Sequence, residues 1–154
     1  MRSDVAPRAA YSYRADPAVP AFRDDKPIIL FDGHCVLCSR WANFVLKHDR
    51  ERRYRLLTAQ SPLGRTLYAH YGLDPQVFET NILIDDGIAW FKSAGTLRMV
   101  AGLGWPWRAA VALRLLPERW ADRLYDRVAL NRLRWFGVRP TCYLPAPEDA
   151  DRFL

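Results

Sequence analysis

Two of the chain's three cysteines, Cys35 and Cys38, are separated by Val36-Leu37 and follow the apolar run Ile28-Ile29-Leu30-Phe31 and the triplet Asp32-Gly33-His34. Cysteines three apart at the start of a helix lie about one turn from each other, so their sulfurs can approach the geometry of a disulfide. The upstream one faces the free amides and positive dipole end of the helix, which favour a thiolate. A thiolate that attacks a disulfide, with a second thiol near enough to displace the substrate from the mixed disulfide, is the chemistry this pair can carry. Helix direction makes Cys35 the attacking group, expected to be the more exposed, and Cys38 the resolving thiol.

Asp32 admits two readings. Its carboxylate either caps the new helix and shapes the turn with Gly33, or accepts the proton that Cys38 must lose before it attacks. In both, a negative charge beside Cys35 opposes the thiolate, which implies a reducing or isomerising couple rather than a strong oxidant. His34 reads as a turn residue, and Cys142 as a small buried hydrophobe rather than a third redox centre. A zinc site is the rival use of Cys-x-x-Cys. It needs two more ligands, and His34, His48, His70 and Cys142 form no second pair at metal spacing, so neither metal nor cofactor is expected.

The 154 residues, half of them apolar, are enough for one substantial core. Residues 1–26, with Pro7, Pro17 and Pro20 among scattered charges, read as a flexible lead-in without a secretory signal, and 27–154 as a single domain. The best apolar stretch, Met99 to Leu116, is broken by Pro106, Arg108 and Arg114, so no stable membrane insertion is expected and the cytoplasm is the expected compartment. There, three cysteines are too few for a structural disulfide framework, which leaves catalysis or metal binding.

The net charge of +6 permits contact with nucleic acid or an anionic surface. Arg119, Arg123 and Arg127 beside Glu118, Asp122 and Asp126 read as a solvated, self-paired helix face, and no nucleic-acid motif appears. A non-enzymatic adaptor that uses this basic helix, or the Trp105, Trp107 and Arg108 cluster, is the other alternative.

The positioning elements follow from period and punctuation. Ile28 to Phe31 is a central strand, and Leu37, Trp41, Phe44 and Val45 mark a helix to about Asp49. Tyr54 to Thr58 is a second strand, parallel to the first. Ser61-Pro62 starts a second helix that Gly72 ends. Asn81 to Ile84 and Ile88 to Phe91 form a hairpin around Asp85-Asp86-Gly87, and Ser93 or Thr96 caps the next helix. Pro106 and Pro117 read as first-turn prolines of a helix through Leu116 and a longer one through Phe136, with Gly137 as its stop and an irregular strap beyond.

That β-α-β-α-β-β-α order, with the cysteines at the first strand-to-helix junction, resembles the thioredoxin fold. Asp32-x-x-Cys35-x-x-Cys38 after a hydrophobic strand resembles the signature of the DCC thiol-disulfide oxidoreductase family. Ser93-Ala94, Asn131-Arg132, Trp135-Phe136-Gly137 and Cys142 are similar to what that family carries, so the likeness covers roughly residues 27 to 154. It implies an α/β, thioredoxin-like domain, a four-stranded mixed sheet flanked by helices with extra C-terminal helices. It also implies catalysis by Cys35, Cys38 and Asp32 on a protein or small-molecule disulfide or thiol, with an electron donor the sequence does not name. One departure stands out. Thioredoxin-like proteins place a cis-proline before the third strand, opposite the cysteines, whereas this chain has Glu79-Thr80-Asn81, with Thr80 in that place.

Overall fold

A computed structural model describes residues 5–154 of the chain. Its sheet runs in the order β2-β1-β3-β4, where β1 is Ile28–Phe31, β2 Arg55–Thr58, β3 Ile82–Asp85 and β4 Ile88–Phe91. β1 is parallel to β2, while β1–β3 and β3–β4 are antiparallel. The helices are α1 (Val36–His48), α2 (Pro62–His70), α3 (Lys92–Ala101) and α4 (Glu118–Phe136). This is the thioredoxin-like α/β arrangement the sequence predicts.

All four residues of β1 are buried, as expected of a central strand covered on both sides. Alternate side chains serve different layers. Ile28 and Leu30 join Leu57, Leu67, Tyr68, Ile82 and Ile84 in the cluster that α2 covers, whereas Ile29 joins Val45, Leu83 and Met99 from α1, β3 and α3. Phe31, at the end of β1, packs with Cys35, Cys38, Ala42 and Tyr143, so the strand leads the core straight to the cysteines.

Residues 1–4 of the lead-in lie outside the described residues. Its described part is laid against the sheet: Tyr13 is buried in the α2-side cluster, the Tyr11 amide donates to Gly87 O at 3.0 Å, and Asp16 bonds His70 Nδ1 at 2.6 Å. Alternation along the segment gives no hint of this because the anchors are single aromatic side chains.

Three local expectations change. α3 starts at Lys92, and neither Ser93 nor Thr96 caps it. Instead Asp122 of α4 reaches across, accepting from the Ser93 amide at 3.4 Å and from the Ser93 hydroxyl, while Asp126 pairs with Lys92 Nζ at 3.2 Å. Asp122 and Asp126 of α4 are thus spent on α3 and not on the arginines of their own helix. Trp107–Leu115 is a 3-10 helix rather than an α-helix, with Pro106 and Pro117 just outside the helices they precede. None of its residues is buried, so no core face supports a full α-helical ladder there.

Candidate redox site

Cys35 is the N-cap of α1, with extended backbone, and its sulfur accepts the amide of Cys38 at 3.3 Å. A sulfur therefore fills the place an oxygen side chain normally takes at a helix start. This capping contact stabilises negative charge on the sulfur. The Cys35 thiol is lowered from its ordinary 9.0 to about 6, first by the hydrogen bond from the Cys38 thiol, then by the Cys38 amide and the positive charge of Arg132. Burial and Asp32 work against it. Cys38 moves the other way: donating to Cys35, burial and the neighbouring thiolate all raise it.

Asp32 is buried and fully engaged. Its Oδ1 accepts from the His34 amide at 2.9 Å and from Gln60 Nε2 at 2.6 Å, and its Oδ2 pairs with Arg132 at 3.3 Å. Gln60 also accepts the Gly33 amide at 2.9 Å, so it clamps both residues of the turn. Arg132 in turn donates to the carbonyls of Phe78, Glu79 and Ala129, tying the loop before β3 and the body of α4 to the motif.

Gln60 escapes the sequence reading, and Arg132 enters it only as part of the Asn131-Arg132 likeness with no role, although each leaves a trace. Phe31 pairs with Thr58 in the parallel ladder, so Gln60, two residues on, stands beside Gly33, two residues on. Arg132 lies seven residues after Tyr125 on the inward stripe of α4, where a charge demands a buried partner. Its presence revises the charge argument: Asp32 is neutralised by a guanidinium that acts on Cys35 more strongly than the carboxylate does.

The two cysteines face different surroundings, against expectation. Cys35 is 0% exposed and Cys38 5%. Residues 137–143 form the strap that covers Cys35: Val138 bridges to it, Gly137 O accepts the Val36 amide at 3.4 Å, the Arg139 amide donates to His34 O at 2.7 Å, and the Tyr143 amide to Gly33 O at 3.0 Å. Gly137 at φ 91° turns the chain out of α4 into this strap. Gly33 lets it approach, since a Cβ there would stand 2.5 Å from Cys142 Sγ. Cys142 thus lies against the motif loop, its sulfur 3.9 Å from Gln60 Oε1. His34 is held between the turn and the strap.

Cys38 instead borders a cleft of about 160 Å³ between α1 and α4, walled by Leu37, Trp41, Tyr125, Val128 and Ala129, with Asn81, Thr96 and Arg132 adding polar groups. A larger cleft, about 310 Å³, lies between α3 and the 3-10 helix and contains no cysteine. Thr80 is buried beside the smaller one. Its backbone is taken up by Tyr68, whose hydroxyl accepts the Thr80 amide at 3.0 Å and donates to its carbonyl, and its Oγ1 meets the Tyr125 hydroxyl at 3.0 Å. The peptide groups that a cis-proline loop would offer a substrate are therefore used internally.

Among the described residues no three of His, Cys, Asp and Glu come together as a metal-holding group. His48 packs against Phe44 and edge-on against Trp107, and His70 bonds Asp16, both engaged away from the cysteines. Among the described residues no helix is long and apolar enough to cross a membrane.

Fold and site together define a thioredoxin-like protein with a Cys-x-x-Cys pair at the first strand-to-helix junction. The chain belongs to the DCC1-like thiol-disulfide oxidoreductase family, whose model matches residues 29–138. It is 34% identical over 127 residues to the uncharacterised protein YuxK of Bacillus subtilis, covering 82% of this chain and 93% of that one. It is 35% identical over 125 residues to a DCC family protein of Arabidopsis thaliana described as chloroplastic, covering 80% and 73% respectively. No solved structure matches.

Proposed function

We propose that the protein exchanges disulfides through Cys35 and Cys38. The observation that carries the reading is the sulfur cap: the Cys35 sulfur receives the Cys38 amide at a helix start beside a buried guanidinium, which favours its thiolate near neutral pH. Once the 137–143 strap moves off it, the Cys35 thiolate attacks one sulfur of a substrate disulfide, forming a mixed disulfide and releasing the other substrate sulfur as a thiolate. Cys38 then loses its proton and attacks the Cys35 sulfur, which releases the second substrate thiol and leaves Cys35–Cys38 oxidised. Two electrons pass to the substrate together with the Cys38 proton and one proton from solvent, and a dithiol donor restores the enzyme by the reverse steps. Asp32 holds the turn and Arg132 in place for this chemistry; with Oδ1 bonded twice and Oδ2 paired, it acts through position.

Replacing Cys38 with serine removes the resolving step, so a mixed disulfide should accumulate on Cys35 and its partner can be identified by mass spectrometry. A Cys38→Ser protein that traps nothing, together with a Cys35→Ser protein whose redox behaviour equals the wild type, would refute the assignment.

A further inference from the structure

α4 packs on α1 and α3, and its inward Tyr125 and Arg132 bond the loop before β3 and Asp32, while its outer half is exposed. Trp120, Leu124 and Trp135 are 66%, 66% and 51% exposed. At 3.6 residues per turn they fall within an arc of about 60° along the flank of the helix, which Asn131 interrupts, while the equally exposed Leu130 lies on the other side of the arginines. Arg123, Arg127 and Arg134, all exposed, fill the neighbouring arc of about 40°. An exposed apolar strip of this kind marks an interaction surface rather than scattered surface residues.

Charge selects the partner. Asp122 and Asp126, which would neutralise the arginines, are turned toward Ser93 and Lys92 of α3. Among the described residues no carboxylate lies within ion-pair distance of Arg123, Arg127 or Arg134. Tryptophan and leucine beside unpaired arginine suit the boundary between anionic headgroups and acyl chains, where each group finds its own solvent. Nucleic acid would satisfy the arginines and leave the apolar strip in water.

We propose that the outer face of α4 docks on an anionic lipid surface, with Trp120, Leu124 and Trp135 dipping below the headgroups and Arg123, Arg127 and Arg134 on the phosphates. Val128, next around the helix, already lines the cleft at Cys38, so the docked face borders the redox site. The proposal does not depend on the thiol chemistry.

The test is co-sedimentation of the full chain with vesicles of equal parts phosphatidylcholine and phosphatidylglycerol, against phosphatidylcholine alone. Binding to the anionic vesicles only, released by high salt, is the expected result. Trp120→Ser with Leu124→Ser, and separately Arg123→Glu with Arg127→Glu, should each weaken it at least about tenfold. Val77→Ser, an exposed apolar site outside α4, should leave it unchanged. Four outcomes overturn the proposal: equal binding to both vesicles, equal loss in the Val77 variant, retention on DNA without vesicle binding, or a dimer in light scattering that the Trp120 and Leu124 changes dissolve while vesicles are ignored.

Discussion

Cys35 lies under backbone and Cys38 beside side chains, although one turn of helix separates them. On the Cys35 side, four strap contacts cover a sulfur that readily ionises; on the Cys38 side, a cleft of aliphatic and aromatic walls reaches a sulfur that keeps its proton. The sulfur that ionises is therefore the one the strap seals, and the sulfur beside the cleft keeps its proton. Reactivity here is set by local hydrogen bonds and Arg132, and access by how distant segments close over the loop.

Alkylation as a function of pH gives the largest separation between the two. Reagent reaches Cys35 only when the strap opens, and its modification should rise through about pH 6 and level off above it, while Cys38 stays unreactive across the same range. The linked stability has a definite sign. A thiol lowered from 9.0 to about 6 binds fewer protons folded than unfolded between those values, so the reduced protein should gain stability as pH rises from about 6 to about 9 and lose it as pH falls through 6. Cys38, raised on folding, contributes stability that is lost above about pH 9. Denaturant midpoints of the reduced protein across this range check both, and a flat profile would contradict the environments assigned to the pair.

Next in size is Arg132→Met. It strips a buried carboxylate of its counter-charge, which costs about 3–5 kcal/mol for a pair as enclosed as this one. Because Arg132 also lowers Cys35, the alkylation profile of whatever protein remains folded should move to higher pH. A stability loss with no movement of the profile would make Arg132 a scaffold residue only.

Gly33→Ala probes the strap side with a smaller effect. The added methyl meets Cys142 Sγ at 2.5 Å, a crowding expected to cost about 1–3 kcal/mol. Cys142→Ala should recover part of that loss in a double-mutant cycle, and strictly additive effects would show that the strap yields freely there.

What was legible in the sequence is what local rules encode. The continuous apolar run Ile28–Phe31, the Ser61-Pro62 cap, whose hydroxyl accepts the Gly64 amide at 3.0 Å, and the hairpin at Gly87 each follow from a few neighbouring residues. The cysteine pair was legible for the same reason. The parts that escaped are pairings across the chain. Arg132 is 100 residues from Asp32, the strap adds backbone bonds to Gly33 and His34, and Tyr13 enters the core from a segment without periodicity. No window of sequence contains both partners of any of these. The expectation that Cys35 is exposed failed for this reason: helix geometry describes α1 correctly but says nothing of what lies on top of it.

The carboxylate of Asp122 at the start of α3 has a consequence for how the molecule opens. α3 carries Thr96 to the rim of the Cys38 cleft, and the amide of Ser93, its second residue, is held by a residue of α4. If α4 lifts, the cleft loses a wall and α3 loses its cap in one event, so these two helices should behave as one cooperative unit. Hydrogen exchange can read this: the Ser93 amide should exchange at the pace of the α4 interior, and Asp122→Ala should accelerate it while leaving β1 protected.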